Sequence, residues 1–297
     1  MATLKEVQTK ITGVQKTRQI TKAMNMVATS KLRSAQQSME GFRPYAGKFT
    51  EVLGSLAESS GDEASPLLIP RDEVKKIHVV LCSSDRGLCG GFNSNLIAAA
   101  DNLIKEKSGE GIEFSFTNFG KKGRDWCRNN KLTIISEYIG VVGSKFGFGT
   151  ASKPGRKIVA GFIDGEFDEV YLIYSEYINV ARQAATIKQI LPIPPIEKAE
   201  SDEQQEDTVY QPEHICEPSP DELLSDLLPR NVYVQIYSGL LETSTSNHAA
   251  QMTAMDNATT ACNDLIEELT LTYNKARQAA ITADLMDIVG GAEALKG

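Results

Sequence analysis

The sequence has 297 residues, of which 41% are apolar and 24% charged, with a net charge of −8. That apolar share supports a packed core and excludes wholesale disorder. No apolar run approaches the roughly 20 residues a membrane-spanning helix needs, and five cysteines without a C-x-x-C motif argue against a disulfide framework or a zinc knuckle.

The opening "MATLKEVQTK" lacks the apolar core of a secretory signal, so a mature cytosolic chain is expected. From Leu4 onward, positions 4, 7, 11, 14, 18, 21, 25, 28, 32, 35, 39 and 42 follow an alternating spacing of 3 and 4. This predicts a long helix with a coiled-coil seam over 1–58, kinked or stopped near Pro44. Residues 1–48 carry nine basic residues against Glu6 and Glu40, which points to a charged partner. Next, "ESSGDEASP" (58–66) supplies turn chemistry.

Residues 74–195 alternate strand and helix signals. "IHVVLC" (77–82), "IEFSFT" (112–117), "LTIISEYI" (132–139), "DEVYLIYSEYI" (168–178) and "ATIKQILPI" (185–193) read as strands. Helices are expected from about Asn93 and around "GRKIVAGFI" (155–163). The order implies a Rossmann-like α/β sheet with right-handed crossovers. Residues 196–230 are predicted to be an acidic loop excursion, since 197–226 hold eleven acidic residues against Lys198. "NVYVQIY" opens 231–243, read as a strand and lead-in to the last helix.

A second heptad runs from Met252 through 255, 259, 262, 266, 269, 273, 276, 280 and 283, so 244–290 is predicted as the other coiled-coil helix. At about 1.5 Å per residue it is on the order of 65–70 Å long. The two terminal helices flank one intervening domain, which makes antiparallel pairing the simplest solution. The fold class expected is therefore α/β, with a long antiparallel coiled coil of the terminal helices. The seam is thin: Arg18, Thr21 and Asn25 interrupt one helix, and Ala276, Ala280 and Ala283 line the other. Either the coiled coil is mediocre, or it is a shaft that must slide within a surrounding protein.

The chemistry-bearing candidates are few. "SSDRGLCGGFNSN" (83–95) follows a strand as phosphate-binding loops do, but its glycines run G-L-C-G-G, and no G-x-x-x-x-G-K-[ST] is present. The next strand ends at Thr117-Asn118, without the acidic residue a ribose would want. The other reading is a tight turn with Asp85 and Arg86 at its tip, available to a partner. His78, His214 and His248 are not spaced as a metal pair, and no His-plus-acid group activates Cys82 or Cys89. Basic charge on several faces without interleaved aromatics argues against nucleic acid. Neither a catalytic residue, a cofactor nor a metal is expected. Asn274, Lys275, Arg277, Gln278 and Thr282 lie off the heptad seam, as a solvated face or as a partner-contacting one.

Three segments carry a family resemblance: "ITKAMNMVATSKLR" (20–33), "SDRGLCGGFN" (84–93), and "YNKARQAAIT" (273–282) followed by "IVGGA" (288–292). In order and spacing they resemble the gamma-subunit family of F-type ATP synthases, bacterial type, across essentially the whole chain. Asp284 stands where that family usually has Glu, and a single Cys216 lacks the paired thiols of plastid relatives. The resemblance implies a non-catalytic rotor stalk turning inside a hexamer of alpha and beta subunits. It couples proton flow to ATP synthesis or hydrolysis, and it regulates ATPase activity and proton flow. It further implies contact with the epsilon subunit and the membrane c-ring, peripherally, on the cytoplasmic face of the bacterial inner membrane. The positions it assigns to alpha and beta contact are Lys22, Met24, Lys31, Asp85, Arg86, Cys89, Asn274, Arg277, Gln278 and Thr282.

Overall fold

The strands of the sheet form where β-branched or aromatic residues cluster. The structure, a computed structural model, describes residues 3–59, 65–71, 73–109, 111–194 and 220–294. In chain order these are α1 (Leu4–Ser59), β1 (Lys76–Cys82), α2 (Phe92–Lys107), β2 (Glu113–Phe119), α3 (Lys121–Asn129), β3 (Thr133–Tyr138), α4 (Gly149–Ile163), β4 (Glu169–Tyr177), β5 (Gln183–Leu191) and α5 (Pro220–Ala294). The described chain divides into two units: one takes α1 up to Thr29 and α5 from Gln251, the other spans Ser30–Ala250.

In the larger unit the sheet order is β3-β2-β1-β4-β5. β1 pairs in parallel with β2 and β4, β2 with β3, and β5 closes the edge antiparallel to β4. This is the nucleotide-fold order up to its fourth strand, with a hairpin in place of a further crossover. Alternation along β1 divides the core in two. Ile77, Val79 and Leu81 face α2 through Phe92, Leu96, Ala100 and Leu103. Val80 and Cys82 face the opposite layer, built by Ile158 and Phe162 of α4, Leu53 and Leu56 of α1, and α5.

Three expectations need correction. The segment 231–243 is not a strand: α5 is already helical from Pro220, so 220–230 are helical too, and the last helix begins well before 244. Leu224, Leu228, Val232, Ile236 and Leu240 are each 0% exposed and recur every fourth residue, which is one helical face. Val234 is buried too, so no polar stripe betrays the helix and the β-branched run imitates a strand. Secondly, α1 does not stop at Pro44; it continues to Ser59, and burial of Leu53 and Leu56 in the core holds its last turns. Thirdly, α3 is a helix that the periodicity misses, because only Gly123 and Cys127 of its nine residues are buried. The remainder of the expected acidic excursion, 196–219, lies outside the described residues.

The smaller unit bears out the antiparallel pairing. Arg18 Nη1 donates to Asn263 Oδ1 at 3.1 Å, the Thr21 and Thr259 hydroxyls lie 2.8 Å apart, and Asn25 Nδ2 donates to the Met252 carbonyl at 2.9 Å. As numbers rise along α1 they fall along α5. The polar seam residues that weaken the apolar pattern are thus partners across it. Every predicted seam position of α1 from Leu4 to Ala28 is at least partly buried, whereas the residues between them are exposed. On α5 the seam holds from Met252 to Ala280, and Ala283 lies beyond it, exposed.

Candidate functional site

The loop after β1 is where a nucleotide fold would bind phosphate, and its hydrogen bonds are spent on the protein itself. The three leading backbone N–H groups of α3 form the anion-binding end of a helix. Here Lys121 N donates to Asp85 Oδ1 at 3.1 Å, Lys122 N to the Ser84 carbonyl at 3.0 Å, and Gly123 N to Ser83 Oγ at 2.8 Å. The other Asp85 oxygen accepts from Gly140 N at 3.0 Å. Asn93 locks the far side of the turn: Ser84 N donates to its Oδ1 at 3.1 Å, and its Nδ2 donates to Ser84 Oγ at 2.8 Å and to Cys89 Sγ at 3.1 Å. Gly90 supplies the positive φ (57°) of a tight turn, and Leu88 shares it at 64°.

The second requirement of a nucleotide fold is an open crevice where the sheet order reverses, at the C-terminal ends of β1 and β4. β1 pairs with β4 only as far as Leu81 opposite Ile173, leaving Ser175 without a neighbouring strand on that side. α5 fills the gap. Thr243 Oγ1 accepts from Ser175 N at 3.2 Å, and Ser246 Oγ donates to the Ser175 carbonyl at 3.1 Å. The α3 N-terminus and the gap beside β4 are therefore filled by the chain's own groups, while α2, the helix that follows the loop, has no side-chain cap at Gly91; the positive φ of Gly90 keeps the turn reading of the glycines.

This geometry separates Asp85 and Arg86, read from the sequence as a partner-facing tip, and Cys89, which the family resemblance adds to them. Asp85 is committed internally through both oxygens. Cys89 is 3% exposed, and burial raises its thiol, so it stays protonated and faces inward. Arg86 is exposed as expected, and it is joined by Leu88, 64% exposed, which the sequence reading passed over. A leucine between two glycines was the available signal.

On the helices, Lys22, Met24, Lys31, Asn274, Arg277, Gln278 and Thr282 are all exposed. The Thr282 hydroxyl donates to the Gln278 carbonyl at 2.9 Å within its own helix, leaving the Gln278 side chain unused by that bond. Sequence reasoning favoured these mostly polar positions and, apart from Met24, missed an apolar stripe beside them. Ile20, Met24 and Val27 on α1, and Ile281, Leu285 and Ile288 on α5, repeat the spacing of 4 and 3 off the seam, and all six are exposed. The signal was present as a second apolar period, hidden because a heptad search registers only the stronger one. Among the described residues no helix is long and apolar enough to cross a membrane, and no cluster of three or more His, Cys, Asp or Glu side chains is placed to hold a metal.

The family model described as ATP synthase matches residues 3–295. The ATP synthase gamma chain of Desulfosudis oleivorans is 64% identical over 300 residues, covering 100% of both chains. That of Desulforapulum autotrophicum is 59% identical over 298 residues, covering 99% of this chain and 100% of the other. In fold, a chain from the Euglena gracilis mitochondrial ATP synthase rotor superposes with a TM-score of 0.66 at 19% identity, covering 94% of this chain and 98% of that one. With high identity running end to end across both terminal helices and the sheet between them, the chain belongs to the ATP synthase gamma-chain family.

Proposed function

We propose that this chain is the central rotor stalk of a proton-translocating ATP synthase, non-catalytic in itself. In this reading it turns inside an alpha–beta hexamer, with the epsilon subunit and the c-ring as its other partners. It is peripheral to the cytoplasmic face of a bacterial inner membrane. The observation that carries the reading is the antiparallel helix pair, closed by Arg18–Asn263, Thr21–Thr259 and Asn25–Met252, whose outward residues are exposed and in part apolar. A two-helix seam needs no such outer surface for its own stability. A sleeve around it does.

A shaft changes the state of a surrounding subunit only by contacting its conformations unequally. Lys22, Met24 and Lys31 on α1, Arg86 beside the inward-facing Asp85 and Cys89, and Asn274, Arg277, Gln278 and Thr282 on α5 supply the uneven surface. Arg277→Ala and Gln278→Leu, in a complex reconstituted with alpha and beta subunits, are expected to lower coupled turnover by roughly fivefold or more. Both side chains are exposed, so the thermal midpoint of the chain is expected to stay put. A matching fall in that midpoint would make the face structural instead, and a chain that never enters an alpha–beta hexamer would end the rotor reading.

A further inference from the structure

α5 contains the least expected stretch of the core. Thr243, Ser244, Thr245, Ser246 and Asn247 follow one another at 0%, 4%, 0%, 0% and 3% exposure, where a buried helix would ordinarily be apolar. Two of these residues have a shared target. Thr243 Oγ1 accepts from Ser175 N at 3.2 Å and Ser246 Oγ donates to the Ser175 carbonyl at 3.1 Å, so one strand residue is held at both its backbone groups. Three positions apart, these side chains lie on one face of α5. Gly239, four residues before Thr243, continues that face: a Cβ there would stand 3.0 Å from Leu172 Cδ2 and 3.4 Å from Tyr174 Cβ. The glycine brings the helix backbone close enough to β4 for short hydroxyl side chains to reach it.

We infer that Thr243 and Ser246 are positioning residues that fix the rotational setting of α5 on the sheet, and that twist passes between the α/β layers and α5 through their bracket on Ser175. The inference rests on the rotor reading. Apolar contacts such as those of Ile236 and Leu240 are non-directional and tolerate small rotations about the helix axis. The bracket does not. A slip of one residue turns α5 by about 100°, and even a fraction of that leaves two hydroxyls, one N–H and one carbonyl buried without partners. Turning torque on the sheet is therefore met at Ser175 by directional bonds, and the polar run gives α5 a stiffness that a leucine face would lack.

The test uses the full chain assembled with alpha and beta subunits and compares Thr243→Val/Ser246→Ala with the conservative Thr243→Ser. Amide exchange at Ser175 is expected to accelerate roughly tenfold in the double variant and to stay near the parent rate in Thr243→Ser. A probe fixed to the α/β domain of the stalled rotor is expected to show a wider angular distribution in the double variant alone. Faster exchange at Ser175 with an unchanged angular spread would overturn the inference, reducing the bracket to local packing. If the double variant fails to assemble, Ser246→Ala alone, which leaves only the carbonyl unpaired, is read by the same two measurements. A parent chain that assembles but does not rotate would sink the rotor reading itself, whereas equal angular spread in a rotating pair sinks only the bracket.

Discussion

Gly120→Ala is expected to lower the stability of the α/β unit by about 3–5 kcal/mol, a drop in thermal midpoint on the order of 10 °C. Gly120 caps α3 at φ 96°, ψ 152°, a conformation essentially reserved for glycine. A Cβ built there would stand 2.1 Å from the Ser83 carbonyl oxygen and 2.7 Å from its carbon, and both atoms are backbone that cannot swing aside. Ser83 is itself pinned, its N–H donating to the Phe119 carbonyl at 2.7 Å, and Gly120 N donates to the Tyr138 carbonyl at 2.9 Å. Displacing Ser83 would also release the Ser83–Asp85 acceptors that fill the α3 N-terminus, so the loop and the helix are lost together. Gly111→Ala is the control: its φ is 85° but nothing lies within 4 Å of its added Cβ, so about 1 kcal/mol of conformational cost is expected. Equal effects at the two glycines would show that the close approach to Ser83 is not what selects glycine at 120.

The same two loops show what the sequence could and could not disclose. The seam was legible because a spacing of 3 and 4 survives substitution of single members: Thr21 and Asn25 break the apolar count but not the period, and both meet α5. The strands of the sheet were legible from their β-branched runs. The character of α5 over 231–243 was not, since a helix buried on several sides has no polar face to set the period. Nor were the inward turns of Asp85 and Cys89 visible. Asp85 accepts bonds from Lys121 and Gly140, 36 and 55 residues away, and no local pattern encodes such partners. The glycines of the loop announced a tight turn correctly, since Gly90 sits at φ 57°, but not a close backbone approach: nothing lies within 4 Å of a Cβ built at Gly87 or Gly90.

Acidification is expected to destabilise the α/β unit through His78, by about 2 kcal/mol between pH 7 and 5 and about 3 kcal/mol by pH 4. The ring is 0% exposed in the middle of β1, and burial depresses its pKa from 6.5 to about 3. Its nitrogens lie 2.8 Å from Ser115 Oγ and 3.0 Å from Thr117 Oγ1, and it stacks on Phe167 with centroids 4.4 Å apart. Hydroxyls donate or accept equally, so these bonds satisfy either tautomer and do not oppose protonation; what opposes it is charging a ring removed from water. The sign follows. Between pH 6.5 and about 3 the unfolded chain binds a proton that the native chain refuses. Stability present above pH 6.5 is therefore lost as pH falls through that window, and the loss levels off only near the folded pKa. Carboxylates add their own dependence below pH 5, so the quantity to measure is the difference in unfolding free energy between the parent and His78→Gln at each pH. Gln keeps a donor and an acceptor for Ser115 and Thr117 but cannot titrate. The variant is expected to be less stable than the parent at pH 7.5 and to close that gap by about 3 kcal/mol on descent to pH 4. Parallel curves for the two proteins would mean that the ring takes up its proton in the folded state, and that the β1–β2 interior admits water.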